Sequence, residues 1–192
     1  MTVAALLLFI RALGLTLPLW IVAGWSAAEA ALFFIVADVP ISWIAVRSGR
    51  RAAMLAAVVA ALASVVGAAA VLFWAGNDAA GAAATMAALP GIDSALIKEA
   101  AQAYHNGPLA ILAGSFSGIP FKLFALEAAK EDGFLFLLLA PLVRLPRFLA
   151  IALFVGGISR ILERWMTVRQ RLALLLALWV IFYCWYFSVM PR

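Results

Sequence analysis

The chain has 192 residues, of which 68% are hydrophobic and only 12% are charged, and its formal net charge is +5. Soluble domains carry roughly a quarter charged residues. The composition therefore excludes a soluble enzyme and predicts an all-α integral membrane protein with a single membrane domain over residues 1–192. Its length suits about four to six apolar segments of roughly 20 residues each.

The positive charge is placed in loops beside apolar segments or within the segments themselves. This placement is typical of membrane topology and of contact with anionic lipid, so no nucleic-acid partner is expected. Cys184 is the single cysteine, which leaves no disulfide and no cysteine-based metal site. We expect neither a metal nor a cofactor, and the start of the chain lacks the basic region of a cleaved signal peptide.

Residues 3–22 form the first predicted apolar helix, which is interrupted by Arg11 and Pro18. The residues leave two environments open for Arg11. Its side chain can snorkel toward the nearer membrane interface, or it can pair with a carboxylate inside the protein.

Residues 27–46 are also apolar, but they contain Glu29, Asp38 and Pro40. Because a proline pushes the preceding residue out of the helical region, Pro40 is expected to break the helix just after Asp38. One interpretation is a kinked helix in which Asp38 caps the second half. We favour a re-entrant hairpin, which explains the same residues with less strain.

A basic cluster follows at residues 47–51 and predicts a cytoplasmic anchor. Residues 52–75 then form a span without any charged residue. Small residues recur along it at helical spacing, which favours close packing against neighbouring helices. We predict that this span is scaffold rather than part of a site.

Residues 76–107 form a long polar connection. Within it, residues 92–104 are predicted to form a short interfacial helix, because Ile92, Leu96 and Ala103 would share its apolar side. His105 is the single histidine and precedes Asn-Gly-Pro. We interpret it as a loop residue rather than a metal ligand or a general base.

Residues 108–129 place charge inside an apolar segment, because they include Lys122 and Glu127 close to Pro120. Ionisable groups at membrane depth are costly, and they usually face a partner or a wet cavity. Proline next to small residues predicts a helix that stops inside the bilayer, which is tolerated where the backbone lines a cavity.

Residues 134–158 return through the membrane and carry Arg144 and Arg147. The two arginines are three positions apart, so they are neighbours on one helical face. Pro141 and Pro146 are expected to break this apolar run.

Residues 160–171 contain the second basic cluster, and residues 172–190 form a C-terminal transmembrane helix. Six aromatic residues crowd the end of that helix. Such a crowd near a terminus is more typical of an interfacial belt than of a binding cage.

The charges also predict a topology. If both basic clusters lie in the cytoplasm, the spans 52–75 and 134–158 each cross the membrane once. Residues 108–129 must then enter and leave from the outside, while residues 27–46 enter and leave from the inside. The prediction is a polytopic helical bundle with two facing re-entrant hairpins in a pseudo-inverted repeat, an arrangement in which transporters often build sites at the membrane midplane.

Four sequence elements occur in an order known from one family. They are Glu29 with Asp38-Val-Pro40, the stretch Leu-Ala-Ser-Val-Val-Gly at 62–67, Phe116-Ser-Gly-Ile-Pro120-Phe-Lys122, and Arg144-Leu-Pro-Arg147-Phe148. Through them the chain resembles the DedA superfamily, also called the VTT-domain or SNARE-associated Golgi protein family, and within it the small YqaA-like bacterial members. The resemblance covers about residues 25–160. It implies two facing re-entrant hairpins, a multi-pass location in the bacterial inner membrane, and proton-coupled movement of a phospholipid or a polyprenyl phosphate across the bilayer.

The charged residues also suit a phosphate-bearing lipid on chemical grounds. The guanidinium groups of Arg144 and Arg147 can grip phosphate oxygens in pairs, and Lys122 can supply a third charge. A helix that begins after Pro120 can add amide donors. We therefore assign Lys122, Pro120, Arg144 and Arg147 to substrate binding.

Glu29, Asp38 and Glu127 are assigned to proton coupling. Burial raises the pKa of a carboxylate and a nearby cation lowers it, so a carboxylate that alternates between such surroundings takes up and releases a proton. The alternative is that these charges are buried ion pairs that hold the hairpins together. Because desolvation can exceed the attraction within such pairs, we favour a functional role.

Two other functions stay open at this point. A membrane enzyme acting on lipid phosphates needs a metal-binding carboxylate cluster or a nucleophile with its base, and no such motif is present, so no enzymatic activity is expected. A structural or assembly protein would use the charges only to hold the fold. The expected partners are an anionic lipid and protons, and a homo-oligomer is possible.

Overall fold

The computed structural model describes residues 14–189, and α-helices are the only regular secondary structure in this part of the chain, which confirms the all-α prediction. Arg11 and most of the predicted helix 3–22 lie outside the described residues. We number the helices in chain order as α1 (Thr16–Ala31), α2 (Asp38–Ser48), α3 (Arg50–Asn77), α4 (Ala79–Ala87), α5 (Ser94–His105), α6 (Pro108–Ser117), α7 (Phe121–Ala128), α8 (Gly133–Leu162) and α9 (Val168–Val189).

Three of these helices are long and apolar enough to cross a membrane, as expected of a helical membrane protein. They are α3, α8 and α9, with 28, 30 and 22 residues, and they contain the predicted spans 52–75 and 134–158 and nearly all of 172–190. The 16 residues of α1 extend over only about 24 Å and the 10 residues of α6 over about 15 Å. Both lengths are below the hydrocarbon thickness of about 30 Å.

Helices α3 and α8 run antiparallel and form the frame of the bundle. A Cβ atom placed on Gly156, near the end of α8, would approach the Cβ atom of Arg50 at 3.1 Å. At the other end, a Cβ atom on Gly133 would approach the side chain of Leu72 at 2.9 Å. The two basic clusters therefore lie at the same end of the bundle, which we call the basic end.

The small residues of α3 are buried, as the sequence predicts for a scaffold span. The buried set is Ala52, Ala53, Ala56, Ala57, Ala60, Ala61, Ser64, Gly67, Ala68, Val71 and Ala75. Helix α1 packs on this face, since the Ser26 hydroxyl donates to the Ala60 carbonyl at 2.7 Å and a Cβ atom on Gly67 would lie 2.8 Å from that of Ala30. Helix α1 therefore runs away from the basic end, alongside α3.

The first helix pair turns back before Asp38 and not after it. Helix α1 ends at Ala31, and the chain then turns through residues 32–37. Helix α2 runs back toward the basic end, where it ends at Ser48. Pro40 is the third residue of α2. The backbone N–H groups of a first helical turn have no intrahelical partner, so a proline is accommodated there, and the predicted break after Asp38 is wrong.

The alternative in which Asp38 caps the helix after the break, and the predicted boundary between the first two apolar segments, are also wrong. Ala37 occupies the N-cap position of α2, and the Asp38 carboxylate accepts from Arg147 instead of capping the helix. Helix α1 crosses the gap between the predicted segments 3–22 and 27–46. The first helix pair therefore starts near residue 16. The predicted boundary was wrong because apolarity alone does not mark where one helix ends and the next begins.

The second helix pair is broken where the sequence predicts. Gly118 ends α6 in the left-handed conformation with φ 101°, and Pro120 is the N-cap residue of α7 with φ −63° and ψ 130°. Both ends of this pair lie at the end opposite the basic end, because His105, before α6, lies 3.1 Å from Glu131, after α7. The two helix pairs thus enter the bundle from opposite ends, and their turns meet inside it.

Helix α8 continues through Pro141 and Pro146, so the expected break in this run is wrong. Each proline removes one backbone hydrogen bond, but the rest of the 30-residue helix keeps its bonds and its packing along α3.

The polar connection is more ordered than predicted, because it contains α4 as well as the predicted short helix α5. Asp93 caps α5 by accepting from the Leu96 amide at 2.7 Å. Ile92 is buried, and Leu96 and Ala103 pack against the core, as predicted for the apolar side of this helix. His105 is the last residue of α5 rather than a loop residue, and its side chain is 57% exposed.

Candidate functional site

The core of the described chain is divided into two apolar clusters. The cluster nearer the basic end, the basic-end core, includes Val22, Ala61 and Phe148. The other, the far core, includes Ala30, Ala68, Phe121 and Val143. Buried polar residues lie between the two clusters along each helix that crosses from one to the other: Ser26 and Glu29 on α1, Ser64 on α3 and Arg144 on α8.

Arg144 and Glu29 form an ion pair inside this polar layer. Nη2 of Arg144 donates to Oε2 of Glu29, and the two side chains are only 6% and 9% exposed. The guanidinium carbon lies 4.5 Å from the ring centre of Phe121 and 4.7 Å from that of Phe148. Because each ring belongs to a different apolar cluster, the cation of Arg144 connects the two halves of the core.

Arg147 and Asp38 form a second ion pair that is less enclosed. Nη2 and Nε of Arg147 donate to Oδ2 of Asp38 at 2.6 and 3.2 Å, and Nη1 donates to the Ser115 carbonyl at 2.9 Å. The side chain of Arg147 is 29% exposed, whereas that of Asp38 is 5% exposed. Oδ1 of Asp38 and Nη1 of Arg144 are buried without a hydrogen-bond partner in the described part of the chain.

Lys122 connects the turns of the two helix pairs. It stands in the first turn of α7, a helix whose eight residues are all buried. Its Nζ donates to the Phe33 carbonyl at 2.8 Å, in the turn between α1 and α2. Within residues 14–189 its ammonium group makes no ion pair, so its positive charge is balanced only by the more distant carboxylates.

A cavity of about 160 Å³ lies where the two turns face each other. Five of the sequence-assigned site residues line it: Glu29, Pro120, Lys122, Arg144 and Arg147. Asp38 does not line the cavity itself but pairs with Arg147, which does. The cavity thus combines three cations with an apolar wall, which is a suitable surrounding for an anionic group attached to an apolar body.

Glu127 is not part of this group. It is buried on α7, but both of its carboxylate oxygens accept from Lys130 at 2.8 Å, and it does not line the cavity. Six of the seven assigned residues are therefore brought together by the fold, and Glu127 is held apart from them.

Helix α9 supplies part of the cavity wall, and none of its residues was assigned to the site from the sequence. Phe182, Tyr183 and Tyr186 of α9 line the cavity, although the sequence suggests an interfacial belt for these aromatics. The Val36 amide donates to the Tyr183 hydroxyl at 3.0 Å, and the Trp179 indole donates to the Ser42 hydroxyl at 3.0 Å. Trp179, Tyr183 and Tyr186 are partly buried and follow one another at helical spacing. That stripe is the signal that would have indicated a face turned toward the bundle.

No protein-family model matches the chain, and no curated protein or solved structure is significantly similar to it. The described residues contain no group of three or more His, Cys, Asp or Glu side chains that could hold a metal ion. What the site can do therefore follows from its own residues. It can bind an anion through Arg147 and Lys122, and it can exchange a counter-charge at Asp38.

Proposed function

We propose that this protein moves a lipid with an anionic phosphate headgroup, a phospholipid or a polyprenyl phosphate, across the membrane. The observation that carries the proposal is the meeting of Lys122, Arg144 and Arg147 with Glu29 and Asp38 at one cavity between the turns of two broken helix pairs. Passage of such a lipid is opposed mainly by desolvation of its charge in about 30 Å of hydrocarbon. Cations held at that depth would offset this barrier.

In this proposal the two helix pairs are re-entrant hairpins that enter from opposite sides of the membrane. Two features support this topology: their helices are too short to cross the hydrocarbon core, and their turns meet in the interior, where Lys122 contacts Phe33. The cavity would then lie near the membrane midplane and open alternately to the two sides, as in transporters built from inverted repeats.

Within the cavity, Arg147 is the cation that takes the phosphate. Its guanidinium group is partly exposed, and its Nε and Nη2 both donate to one carboxylate oxygen, Oδ2 of Asp38. The same two N–H groups can form a fork to two phosphate oxygens. Lys122 adds a point charge from the opposite turn. Arg144 is enclosed by Glu29 and two aromatic rings, so it contributes positive potential and holds the fold rather than contacting the phosphate directly.

Proton coupling follows from the competition between phosphate and Asp38 for the same guanidinium group. When the phosphate binds Arg147, the Asp38 carboxylate loses its partner while it stays buried. An unpaired buried carboxylate takes up a proton instead of keeping its charge. When the phosphate leaves, Arg147 returns to Asp38 and the proton is released, so each lipid moved is accompanied by a proton.

This mechanism matches what the resemblance to the DedA superfamily implies, and membership of that superfamily and a bacterial inner-membrane location are part of the proposal. The proposed activity makes and breaks no covalent bond, so it is a transport function and not an enzymatic one. The lipid is distinguished from other anions by the apolar wall of the cavity, to which Phe182 and Tyr183 contribute.

The proposal is tested by reconstituting the full chain in proteoliposomes with a fluorescent phospholipid and an imposed pH gradient. We expect Arg147→Ala to abolish transport, because a truncated fork leaves phosphate oxygens unpaired. Arg147→Lys keeps the charge but loses the fork, so it should retain a small fraction of the rate. Arg164→Gln, which removes an exposed arginine outside the cavity, is the matched control and should transport normally.

Arg144→Lys is expected to give an intermediate defect, because it keeps the positive charge beside Glu29 but loses the planar group between the two rings. If transport persists undiminished after both arginines are replaced, the assignment of phosphate handling is wrong. If neither the wild-type chain nor Arg164→Gln moves any phosphate-bearing lipid, the transport function itself is wrong.

A further inference from the structure

A second cleft lies at the basic end of the bundle. The arginine clusters at 47–51 and 160–171 face each other there across a space of about 680 Å³. The first turn of α3, which lines this cleft, is separated from the level of Ser64 by about 20 Å along the helix axis. The cleft is therefore distinct from the central cavity.

The positive charge of this cleft is largely unbalanced. Five arginines line it against one acidic residue, Glu163: Arg47, Arg50, Arg51, Arg160 and Arg171. Glu163 is paired with Arg171 at 3.2 Å. Within residues 14–189 the other four arginines make no ion pair, and like charges gathered in one cleft attract a counter-anion.

One wall of the cleft contains a buried and hydrogen-bonded arginine. Arg171 is buried, and its Nη1 donates to the carbonyl and the hydroxyl of Ser159 at 2.9 and 2.7 Å. Its Nε is buried without an acceptor in the described part of the chain. Helix α3 also begins at the cleft, after Gly49, and the free amides of a helix start favour an anion there.

The cleft continues into an apolar groove between α8 and α9. Val46, Ser159 and Arg171 line both spaces, so the groove opens directly beside the arginines. The groove measures about 130 Å³. Beyond the shared residues its lining is wholly apolar: Phe154, Val155, Ile158, Leu162, Leu174, Leu175 and Leu178.

We propose that the cleft and the groove together bind one anionic phospholipid as a resident lipid that is not transported. The phosphate lies among the arginines, and an acyl chain lies in the groove between α8 and α9. A soluble phosphate compound would satisfy the arginines but would leave the groove empty, whereas a lipid matches both halves. Basic pockets between membrane helices at the positively charged side are suited to this type of ligand.

The test uses the purified full chain in detergent, with phosphatidylglycerol and phosphatidylcholine as matched anionic and zwitterionic probes. Native mass spectrometry measures how much of each lipid is retained, and thermal unfolding measures the stabilisation. We expect phosphatidylglycerol to be retained in clear preference and to raise the melting temperature. Arg50→Gln with Arg51→Gln should lower its retention about tenfold or more, since each arginine near an anionic lipid contributes substantially to the attraction.

The matched control is Arg164→Gln with Arg169→Gln, which removes the same charge from the same end of the molecule but outside the cleft. It should retain phosphatidylglycerol like the wild type. Melting temperatures without added lipid show whether either double variant is misfolded. An equal loss of retention in both double variants, with both folded, would overturn the site.

Two further measurements distinguish a bound lipid from a bound free anion. Leu175→Trp fills the groove and should lower retention of phosphatidylglycerol while leaving the arginines unchanged. Inorganic phosphate at millimolar concentration should reproduce little of the stabilisation given by the lipid. If phosphate alone stabilises as strongly as phosphatidylglycerol, or if phosphatidylcholine is retained equally, the cleft is not a site for an anionic lipid. Both comparisons are made on an Arg147→Ala background, so that lipid or phosphate bound by this group in the central cavity does not enter the result.

Discussion

Arg144 and Arg147 are three positions apart on α8, yet their surroundings differ. Arg144 is enclosed between Glu29 and two aromatic rings, with only 6% of its side chain exposed. Arg147 is 29% exposed and faces the cavity. We infer that the buried arginine mainly holds the structure, whereas the more exposed one is free to exchange its carboxylate partner for a ligand.

Replacing Arg144 by alanine should therefore destabilise the protein. The change leaves the Glu29 carboxylate buried without a partner, and breaking a buried pair in this way costs about 3–5 kcal/mol. Thermal unfolding in detergent should show a clearly lower melting temperature than for Arg147→Ala. Glu29→Gln combined with Arg144→Gln removes both charges and should recover part of the loss. Equal melting temperatures for Arg144→Ala and the wild type would contradict the structural role of this pair.

Asp38 is the residue at which we expect proton coupling. Asp38→Asn keeps the size of the side chain but cannot take up a proton, so lipid binding should persist while the dependence of transport on a pH gradient becomes flat. Transport rates at several imposed gradients measure this slope directly. Glu127→Gln is the comparison, because Glu127 pairs with Lys130 outside the cavity, and it should keep the slope. If the Asp38→Asn variant does not accumulate in the membrane, the carboxylate is needed for folding instead.

At the scale of helices, the packing of α1 on α3 depends on Gly67. A Cβ atom at this position would overlap the Ala27 carbonyl group and lie 2.8 Å from the Cβ atom of Ala30. Because the obstacle is backbone, α1 must shift to make room. We expect Gly67→Ala to lower the free energy of unfolding by about 1–3 kcal/mol.

The matched control for this change lies in the same helix. A Cβ atom on Gly76 would meet nothing within 4 Å, so Gly76→Ala should be neutral or slightly stabilising, as alanine is favoured over glycine in helices. Thermal unfolding of the two variants side by side makes the comparison. A similar decrease in both would mean that the close approach of α1 at Gly67 is not responsible.

The topology of the two helix pairs gives a second prediction at this scale. On a Cys184→Ser background, single cysteines at Thr16 and Ser48 should be labelled from the same side of the membrane by a reagent that cannot cross it. Cysteines at Asn106 and Glu131 should both be labelled from the opposite side. Labelling of Thr16 and Ser48 from opposite sides would mean that the first pair spans the membrane and is not a hairpin.

The helices that the sequence predicted best are the long, charge-free ones. Residues 52–75 leave little choice, because a run of that length and apolarity is stable only as a buried or membrane-crossing helix. The break at Pro120 was also predicted, since Gly118 beside it accommodates a left-handed turn. Pro40 was placed wrongly, because a proline fits the first turn of a helix as well as the residue after a break.

For the charged residues, the sequence predicted which residues would meet but not how they pair. Their residue types predicted that Lys122, Arg144 and Arg147 would meet Glu29 and Asp38, as they do. The specific pairs join residues 115 and 109 positions apart, and nothing in the local sequence indicates which acid meets which arginine. Glu127 differs, because its partner Lys130 is only three positions away. That spacing is visible in the sequence and would have indicated a local pair.

At the scale of the whole molecule, α9 is attached more loosely than the other long helices. Arg171 is its only buried residue, and its defined polar contacts to the rest of the bundle beyond that point are those of Trp179 with Ser42 and Tyr183 with Val36. The same helix closes one side of the central cavity through Phe182 and Tyr186. We infer that the bundle up to Arg171 holds its fold without the remainder of α9.

A chain that ends after Arg171 should therefore accumulate in the membrane and purify as a uniform species with a melting temperature within a few degrees of the full chain. Its cavity should be more accessible. A cysteine at Val36, on the Cys184→Ser background, should react faster with a small thiol reagent in the shortened chain than in the full one. Loss of the shortened chain during expression would mean that α9 is part of the folding core.

Arg144 of the polar layer and Arg147 beside it are the twelfth and fifteenth of the 30 residues of α8, and Ser64 is the fifteenth of the 28 residues of α3. The polar layer is therefore halfway along both antiparallel helices. If the bundle crosses the membrane with both helices spanning it, the polar layer lies near the midplane. A proton that reaches Asp38 from either side has then moved through about half of the membrane voltage, which is worth roughly 1 kcal/mol per 100 mV. Because each lipid is accompanied by one proton, the potential acts on their summed charge. At equal pH on both sides, an imposed potential should therefore drive a zwitterionic phospholipid, with the direction set by its polarity, and should leave a lipid of net charge −1 unmoved.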